Sequence, residues 1–428
     1  MKNFRWWPAI GLAVVGAVLS GCGGKSDSSS GNASLRLANA TLTHASLDLL
    51  VNASAAASAT TADNVSAYAS PAAGSVTLQI NDAGATTALA TTVPTLTGGN
   101  HYTLLAYESG GAVKTAVLNE DFATPTAGTA QLRIYDAALD AGKLDVYITD
   151  PAADLASVSS PTATFTTTTA NSATALLTYS PGTYRVRVTG AGNKSDLRAD
   201  IPAVTVASQQ IATVVLTPAA GGVLVNGSTL LQQSTYTAAR NTNVRVRLAA
   251  AVSGGATVAA SASGGAVIDS GSRAPAFGYY VLVPAASALN ITVNGASVGA
   301  PATALKAGTD ATLLVYGAPG SATATLIADD NRLPTDATTT KLRLINGVTG
   351  STGTLTLTAN TALVGNGIAA GAASGYVSVL GSTAAFNFKL SSSTSGPLLS
   401  DSTNVLGLNS VYTVMAGGDI AAPQLLIR

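Results

Sequence analysis

The sequence predicts an all-β chain: tandem sandwich modules, four in number, behind a secretion signal and a flexible tether. Three observations carry this expectation. Thr and Val are interleaved with 43 glycines and 16 prolines, the composition of short strands closed by turns. No long stretch combines strong helix formers with a 3.6-residue apolar period and end caps. Finally, three sequence elements recur in one order, four times over.

The N-terminal segment comes first. Lys2 and Arg5 precede an apolar run from Ala9 to Leu19, and small residues lead into Cys22, the sole cysteine of 428 residues. That is a secretory signal layout, with an apolar run too short to span a bilayer as a stable helix. "LSGC" (Leu19, Ser20, Gly21, Cys22) resembles the lipobox of bacterial lipoproteins. The resemblance implies cleavage after Gly21 and covalent lipid on Cys22; an ordinary signal peptide with a stray cysteine is the alternative. The "GGKSDSSSGN" that follows is too polar to pack and suits a tether. Several acyl chains on one residue anchor stably where one alone is marginal. Gly23, rather than aspartate, follows the cysteine, and by resemblance to enterobacterial sorting rules this implies the outer membrane. The expected segments are a signal peptide over 1–21 and a lipidated tether over 22–32.

Composition excludes several functions. Removing residues 1–21 turns 21 basic residues into 19 against 21 acidic ones, a mature net charge of about −2. This leaves no electrostatic footprint for nucleic acid. With Cys22 acylated, no disulfide or thiolate metal site is expected, and the only cofactor is the covalent lipid itself. Charged residues make up 10% of the chain, yet 47% are hydrophobic and the mean hydropathy is +0.35. The chain therefore has the means to bury cores.

The repeat sets the organisation. "SLRLANATLTHASLDLLVN" from Ser34, "QLRIYDAALDAGKLDVYIT" from Gln131, "VRLAAAVSGGATVAAS" from Val246 and "KLRLINGVTGSTGTLTLT" from Lys341 each open on an apolar–Arg–apolar triplet. The arginines are Arg36, Arg133, Arg247 and Arg343, and in the first two copies an aspartate follows twelve residues later, at Asp48 and Asp145. A second element starts at Tyr68, Tyr179, Tyr280 and Tyr376, and a third comprises "YTLLAY", "ATVVLT", "ATLLVY" and "YTVMAG". Copies one and three add matching acidic loops, "NEDF" and "ADDN". The arginines of copies one and three stand 211 residues apart, those of copies two and four 210. A duplicated two-module unit, a pair of pairs, accounts for both numbers.

The expected modules are 33–128, 129–240, 241–337 and 338–428. Units of about 95 to 115 residues suit immunoglobulin-like β-sandwiches. A propeller blade takes only about 40 to 50 residues. An outer-membrane barrel calls for longer strands and aromatic girdles, and aromatics are 5% here. The "LRL", "LDVYI", "YSPGTYRVRV" and "YTVMAG" elements resemble the bacterial secreted domain-of-unknown-function family 4397, found in tandem in envelope lipoproteins. That resemblance implies a fold and a location but no activity.

Three fragments invite a catalytic or metal reading. "GASVG" around Ser297 matches a nucleophile elbow, which requires a strand-to-helix turn and a nearby histidine. The only histidines are His44 and His101, in the first module. "VIDSGS" around Asp269 resembles one half of an aspartic-protease dyad, but no second half exists in the chain. The acids of "NEDF" and "ADDN" offer calcium too few oxygens on their own. A turn aspartate, a hairpin serine and solvated loop acids are the simpler readings. For the arginines, cross-strand ion pairs Arg36–Asp48 and Arg133–Asp145 are expected, each contributing roughly 0.2 to 1 kcal/mol. A row of arginines that binds an acidic ligand is the functional alternative.

The expected function is a non-enzymatic, lipid-anchored envelope protein acting as a spacer, adhesive or binding module. A periplasmic accessory or scaffold lipoprotein is the alternative, and an unrecognised hydrolase a distant third. The expected partners are the membrane, through the lipid, and an envelope protein or polysaccharide.

Overall fold

The first strand of each module carries apolar side chains on one face and the repeated arginine on the other. These strands are Ser34–Asn39, Ala130–Asp136, Asn243–Val252 and Thr339–Thr349. In the computed structural model, which describes residues 31–166, 172–350 and 353–428, each of them pairs in parallel with a late strand of its own module. The partners are His101–Ser109, Ile211–Pro218, Asp310–Gly317 and Ser410–Asp419. Parallel neighbours need a long crossover, and here the crossover is the module's entire second sheet. In module 1 that sheet runs in the order Ser54–Thr61, Ser46–Val51, Leu78–Asp82, Ala88–Thr92, all antiparallel. Modules 2, 3 and 4 repeat the arrangement. The chain is thus nearly all β, a tandem series of two-sheet sandwiches, each closed around its own core.

The two sheets of a module bury differently. Leu355–Ala359, in a second sheet, buries Leu355, Leu357 and Ala359 and leaves Thr356 and Thr358 partly exposed, the alternation of a half-covered sheet. Ile211–Pro218, in a first sheet, is buried at every position. Strands covered on both faces read as continuous apolar runs, which is what "ATVVLT" and "ATLLVY" are. The second cover is a neighbouring module. Ala38, Leu105 and Leu118 pack against Tyr135, Val215 and Leu230, joining modules 1 and 2. Ala249, Ala251 and Leu314 pack against Ile345 and Met415, joining modules 3 and 4. Modules 2 and 3 meet more narrowly, through a Gly221 N–H to Gly308 carbonyl bond of 2.9 Å and through Asp310.

The expected ion pairs Arg36–Asp48 and Arg133–Asp145 do not form. Each arginine lies in the first sheet of its module and each aspartate in the second, so the returning strand crosses to the other layer instead of pairing beside the first. Asp48 instead accepts from Ala59 N at 2.7 Å and Gly84 N at 2.8 Å. Asp145 accepts from the Thr164 hydroxyl at 2.6 Å and Gly192 N at 2.8 Å. Gly84 and Gly192 have φ of +78° and +76°, a conformation favoured by glycine. The repeated aspartate braces a tight turn to its sheet.

Three residues after the arginine a second polar position recurs. Asn39 accepts from Thr41 N, Asp136 from Ala138 N and Asn346 from Val348 N, all three buried. Only module 2 has a carboxylate there, and burial, with Asp140 nearby, pushes the Asp136 carboxyl up to about 6 despite the stabilising Ala138 N–H. A folded-state value above the ordinary 3.8 means that the native state favours the proton, so this contribution to stability is lost as pH rises through about 4 to 6. Asp136→Asn keeps the accepting oxygen and discards the charge. It should raise stability at pH 7.5 by about 3 kcal/mol, with the gain gone below about pH 4. Urea unfolding at both pH values checks this, and an equal gain at both would contradict it.

Candidate functional site

The repeated arginines, tyrosines and third-element threonines converge. The parallel register sets each arginine opposite a threonine. Each Nε donates to that hydroxyl: Arg36 to Thr103 at 2.9 Å, Arg133 to Thr213 at 2.8 Å, Arg247 to Thr312 at 3.0 Å and Arg343 to Thr413 at 3.1 Å. The guanidinium carbons of Arg36, Arg247 and Arg343 stand 4.7, 4.6 and 4.7 Å from the ring centroids of Tyr68, Tyr280 and Tyr376, a cation–π geometry. Module 2 departs from this pattern. Phe122 of module 1 covers Arg133 at 4.3 Å, while Tyr179 packs on Tyr184. The threonine was legible as the second residue of "YTLLAY", "ATVVLT" and "ATLLVY" and of "YTVMAG"; its pairing needed the parallel register.

One acid serves each pair of modules. Glu120, 2% exposed, takes Arg36 at 3.1 and 2.6 Å, the Tyr68 hydroxyl at 3.0 Å and the Thr103 hydroxyl. It also accepts from Gln233 N of module 2 at 2.6 Å, while Arg36 Nη1 donates to the Ser234 carbonyl at 2.6 Å. Asp329 is its counterpart. It accepts from Arg343 of module 4, from the Tyr280 hydroxyl and, at 2.7 Å, from the Thr312 hydroxyl, with Arg247 Nε at 3.7 Å. Burial and the Asp329 carboxylate hold the Tyr280 hydroxyl well above its ordinary range. Burial disfavours the Arg343 charge, but Asp329, with Tyr376 and Tyr280, outweighs it and raises its value. The second acids of the two loops are also engaged. Asp121 pairs with His101 at 3.0 Å, and Asp330 with Arg332 at 2.7 Å and Lys341 at 3.0 Å. Asp330 is held below the usual carboxylate range by these two cations, against the opposing effect of burial.

The other fragments settle into local structure. Ser297 lies on Ala296–Val298, paired antiparallel with Leu289–Val293 in a hairpin, with no helix behind it. Asp269 accepts from Gly271 N at 2.9 Å and from the Ser272 hydroxyl at 2.8 Å, a turn brace. Among the described residues no three of His, Cys, Asp and Glu group as a metal cage. Cys22 and the cleavage residues Leu19, Ser20 and Gly21 lie outside the described residues.

Where modules 2, 3 and 4 meet, two adjoining hollows of about 420 and 450 Å³ share Arg198, Asn331, Leu333 and Asn409. Arg245, Arg247, Tyr279 and Arg428 line the first, and Lys143 and Asp196 the second. Arg198 is held by Asp196 at 2.7 Å, and Arg245 lies 3.4 Å from Asp196 and 3.5 Å from Asp310. Asp310 is fully buried, and burial pushes its carboxyl up against the pull of Arg245 and Asn331. Tyr279 is 73% exposed, with the Arg428 guanidinium 4.1 Å from its ring centroid. Chemically this is a cationic, aromatic and amide-bearing groove. Among the sequence elements, Arg247, Tyr280 and Asn331 of "ADDN" reach it; most of its lining is gathered from three modules and carried no local signal.

Comparison with known proteins reaches one part of the chain by family and the rest only by distant resemblance. No match was found among curated protein sequences. Among solved structures, a protein of Bacteroides uniformis ATCC 8492 described provisionally as a cell adhesion protein aligns at 12% identity and a TM-score of 0.20, over 48% of this chain and 99% of its own. The TIE protein of Bacillus anthracis aligns at 10% identity and a TM-score of 0.14, over 87% of this chain and 66% of its own. Residues 33–147, which include the whole of module 1 with its arginine, threonine, tyrosine and acid, match the family described as Domain of unknown function (DUF4397).

Proposed function

We propose that this is a lipid-anchored cell-envelope protein that binds rather than catalyses, holding out a rigid assembly of β-sandwiches on a short tether. The observation that carries this reading is the groove where modules 2, 3 and 4 meet. It gathers cations and an exposed aromatic on surfaces from three modules, whereas the repeated acids and arginines elsewhere are consumed in holding modules together. Buried, fully engaged ion networks rigidify what they join, and a rigid scaffold is what a binding groove requires. The anchor is Cys22, acylated after cleavage behind Gly21, and the expected location is the outer membrane. An accessory or scaffold role in the periplasm is the second reading.

Radiolabelled palmitate and membrane fractionation test the anchor. The wild type should take up label and sediment with outer membranes, and Cys22→Ala should lose the label and be released or remain uncleaved. A normal outer-membrane pool of Cys22→Ala would overturn the anchor. Protease shaving of intact cells carrying a tag after Arg428 then separates the two readings. Loss of the tag without lysis supports surface binding, and protection until the outer membrane is opened supports the periplasmic role.

A further inference from the structure

We propose that the groove between modules 2, 3 and 4 binds an acidic polysaccharide, its carboxylates meeting Arg245 and Arg428 and a sugar ring resting on Tyr279. This inference rests on the binding-module reading and names the ligand class.

Charge is the first argument. Five cations line the two hollows, Arg198, Arg245, Arg247, Arg428 and Lys143. Three carboxylates stand near them, Asp196, Asp310 and Asp329, and Arg343 already draws on the last. The walls therefore carry a positive surplus within a concave space, where field lines concentrate. Arg198, Arg245 and Arg247 have carboxylates within ion-pair distance, so the charge left for an anion is that of Lys143 and Arg428, which have none among the described residues.

Hydrogen bonding is the second argument. Arg245 is 8% exposed, and its Nη1 has no hydrogen-bond partner among the described residues. The nearest carboxylate oxygen, on Asp310, is 3.5 Å away. A buried cationic donor left unmade costs more than a neutral one. A carboxylate seated in the groove draws the guanidinium toward it and supplies the missing acceptor.

The third argument separates a saccharide from other anions. Tyr279 is 73% exposed on the groove wall and braced by Arg428, so a large aromatic face is offered to solvent at a fixed angle. Large aromatics in water commonly mark a contact surface, and the apolar face of a pyranose ring stacks on such a platform. Asn331 and Asn409 sit on the wall shared by the two hollows, and amides both donate to and accept from hydroxyls. A nucleic acid would instead call for a basic domain, whereas the mature chain carries about −2.

Isothermal titration calorimetry on the full-length protein in detergent tests this, with a galacturonic-acid hexamer, neutral maltohexaose and hexaglutamate as probes. The uronate should bind, and its affinity should fall as NaCl rises from about 50 to 500 mM, because the added ions screen the groove. Maltohexaose and hexaglutamate should bind at least about tenfold more weakly. Arg428→Ala and Tyr279→Ala, both at exposed positions, should each weaken uronate binding about tenfold, with circular dichroism unchanged. Absence of uronate binding would overturn the proposal, as would equal binding by the double variant. Hexaglutamate binding as tight as uronate would also overturn it, in favour of an acidic peptide. If uronate fails while the protein still fractionates through Cys22, the ligand assignment falls and the anchor reading stands.

Discussion

Replacing Asp329 with alanine is expected to destabilise the pair formed by modules 3 and 4 by about 3 to 5 kcal/mol, the usual penalty for orphaning a buried cation. Asp329 is 4% exposed and Arg343 is 2% exposed. The substitution leaves Arg343 with the Thr413 hydroxyl and the Ala328 carbonyl as hydrogen-bond partners and the Tyr376 ring beside it, but no counter-charge. It also removes the acceptor for the Tyr280 and Thr312 hydroxyls. Asp329→Asn keeps an acceptor and should cost less. The loss should appear as earlier urea unfolding and faster hydrogen exchange across Thr339–Thr349 and Asp310–Gly317, with modules 1 and 2 unaffected. Glu120→Ala should act alike on the other pair, and the two losses should add, because the acids share no partners. A loss under about 1 kcal/mol in either case would mean that the acid does not carry the junction.

Gly347→Val is the second large effect. The central strands of modules 3 and 4 approach across Ala251, Gly347 and Gly417. A Cβ at Gly347 would overlap the Ala251 methyl and stand 3.2 Å from Leu314 Cδ1. Packed interfaces resist added volume, and overpacking typically costs about 1 to 3 kcal/mol. Gly299→Val serves as control, since a Cβ there meets nothing within 4 Å. If both variants unfold at the same urea concentration, the close approach of the two modules is not what selects glycine at 347. The same approach explains why "RLAAAVSGG" and "INGVTG" are so poor in large side chains. In module 3 the alanines at 249 and 251 face the neighbouring module while Leu248, Ala250 and Val252 fill its own core.

Asp48 and Asp145 show where reading along the chain reaches its limit. Twelve residues after an arginine, in the next strand, an aspartate looks like a cross-strand partner, because consecutive strands usually pair as hairpins. The step from Asn39 to Ser46 instead changes sheet. A change of layer leaves no local signature, since the turn residues serve either geometry. Glu120 has the converse history. It stands 84 residues from Arg36, too far for any local pattern to join them, and the acids of "NEDF" read as solvated loop residues. The burial of Glu120 follows from the neighbouring module closing over it.

What the sequence determined alone was periodic or local. Strand composition, the three repeated elements and the 211- and 210-residue spacings of the arginines are enough to establish an all-β, fourfold, pair-wise chain. Each module must bury its own alternating face, and that demand is written residue by residue. The tertiary structure alone decided which acid meets which arginine, which threonine lies beside it, and that a cationic groove opens where three modules meet. Such contacts depend on the parallel register of distant strands and on the docking of whole sheets. The free energy that selects them is spread over interfaces no contiguous segment contains.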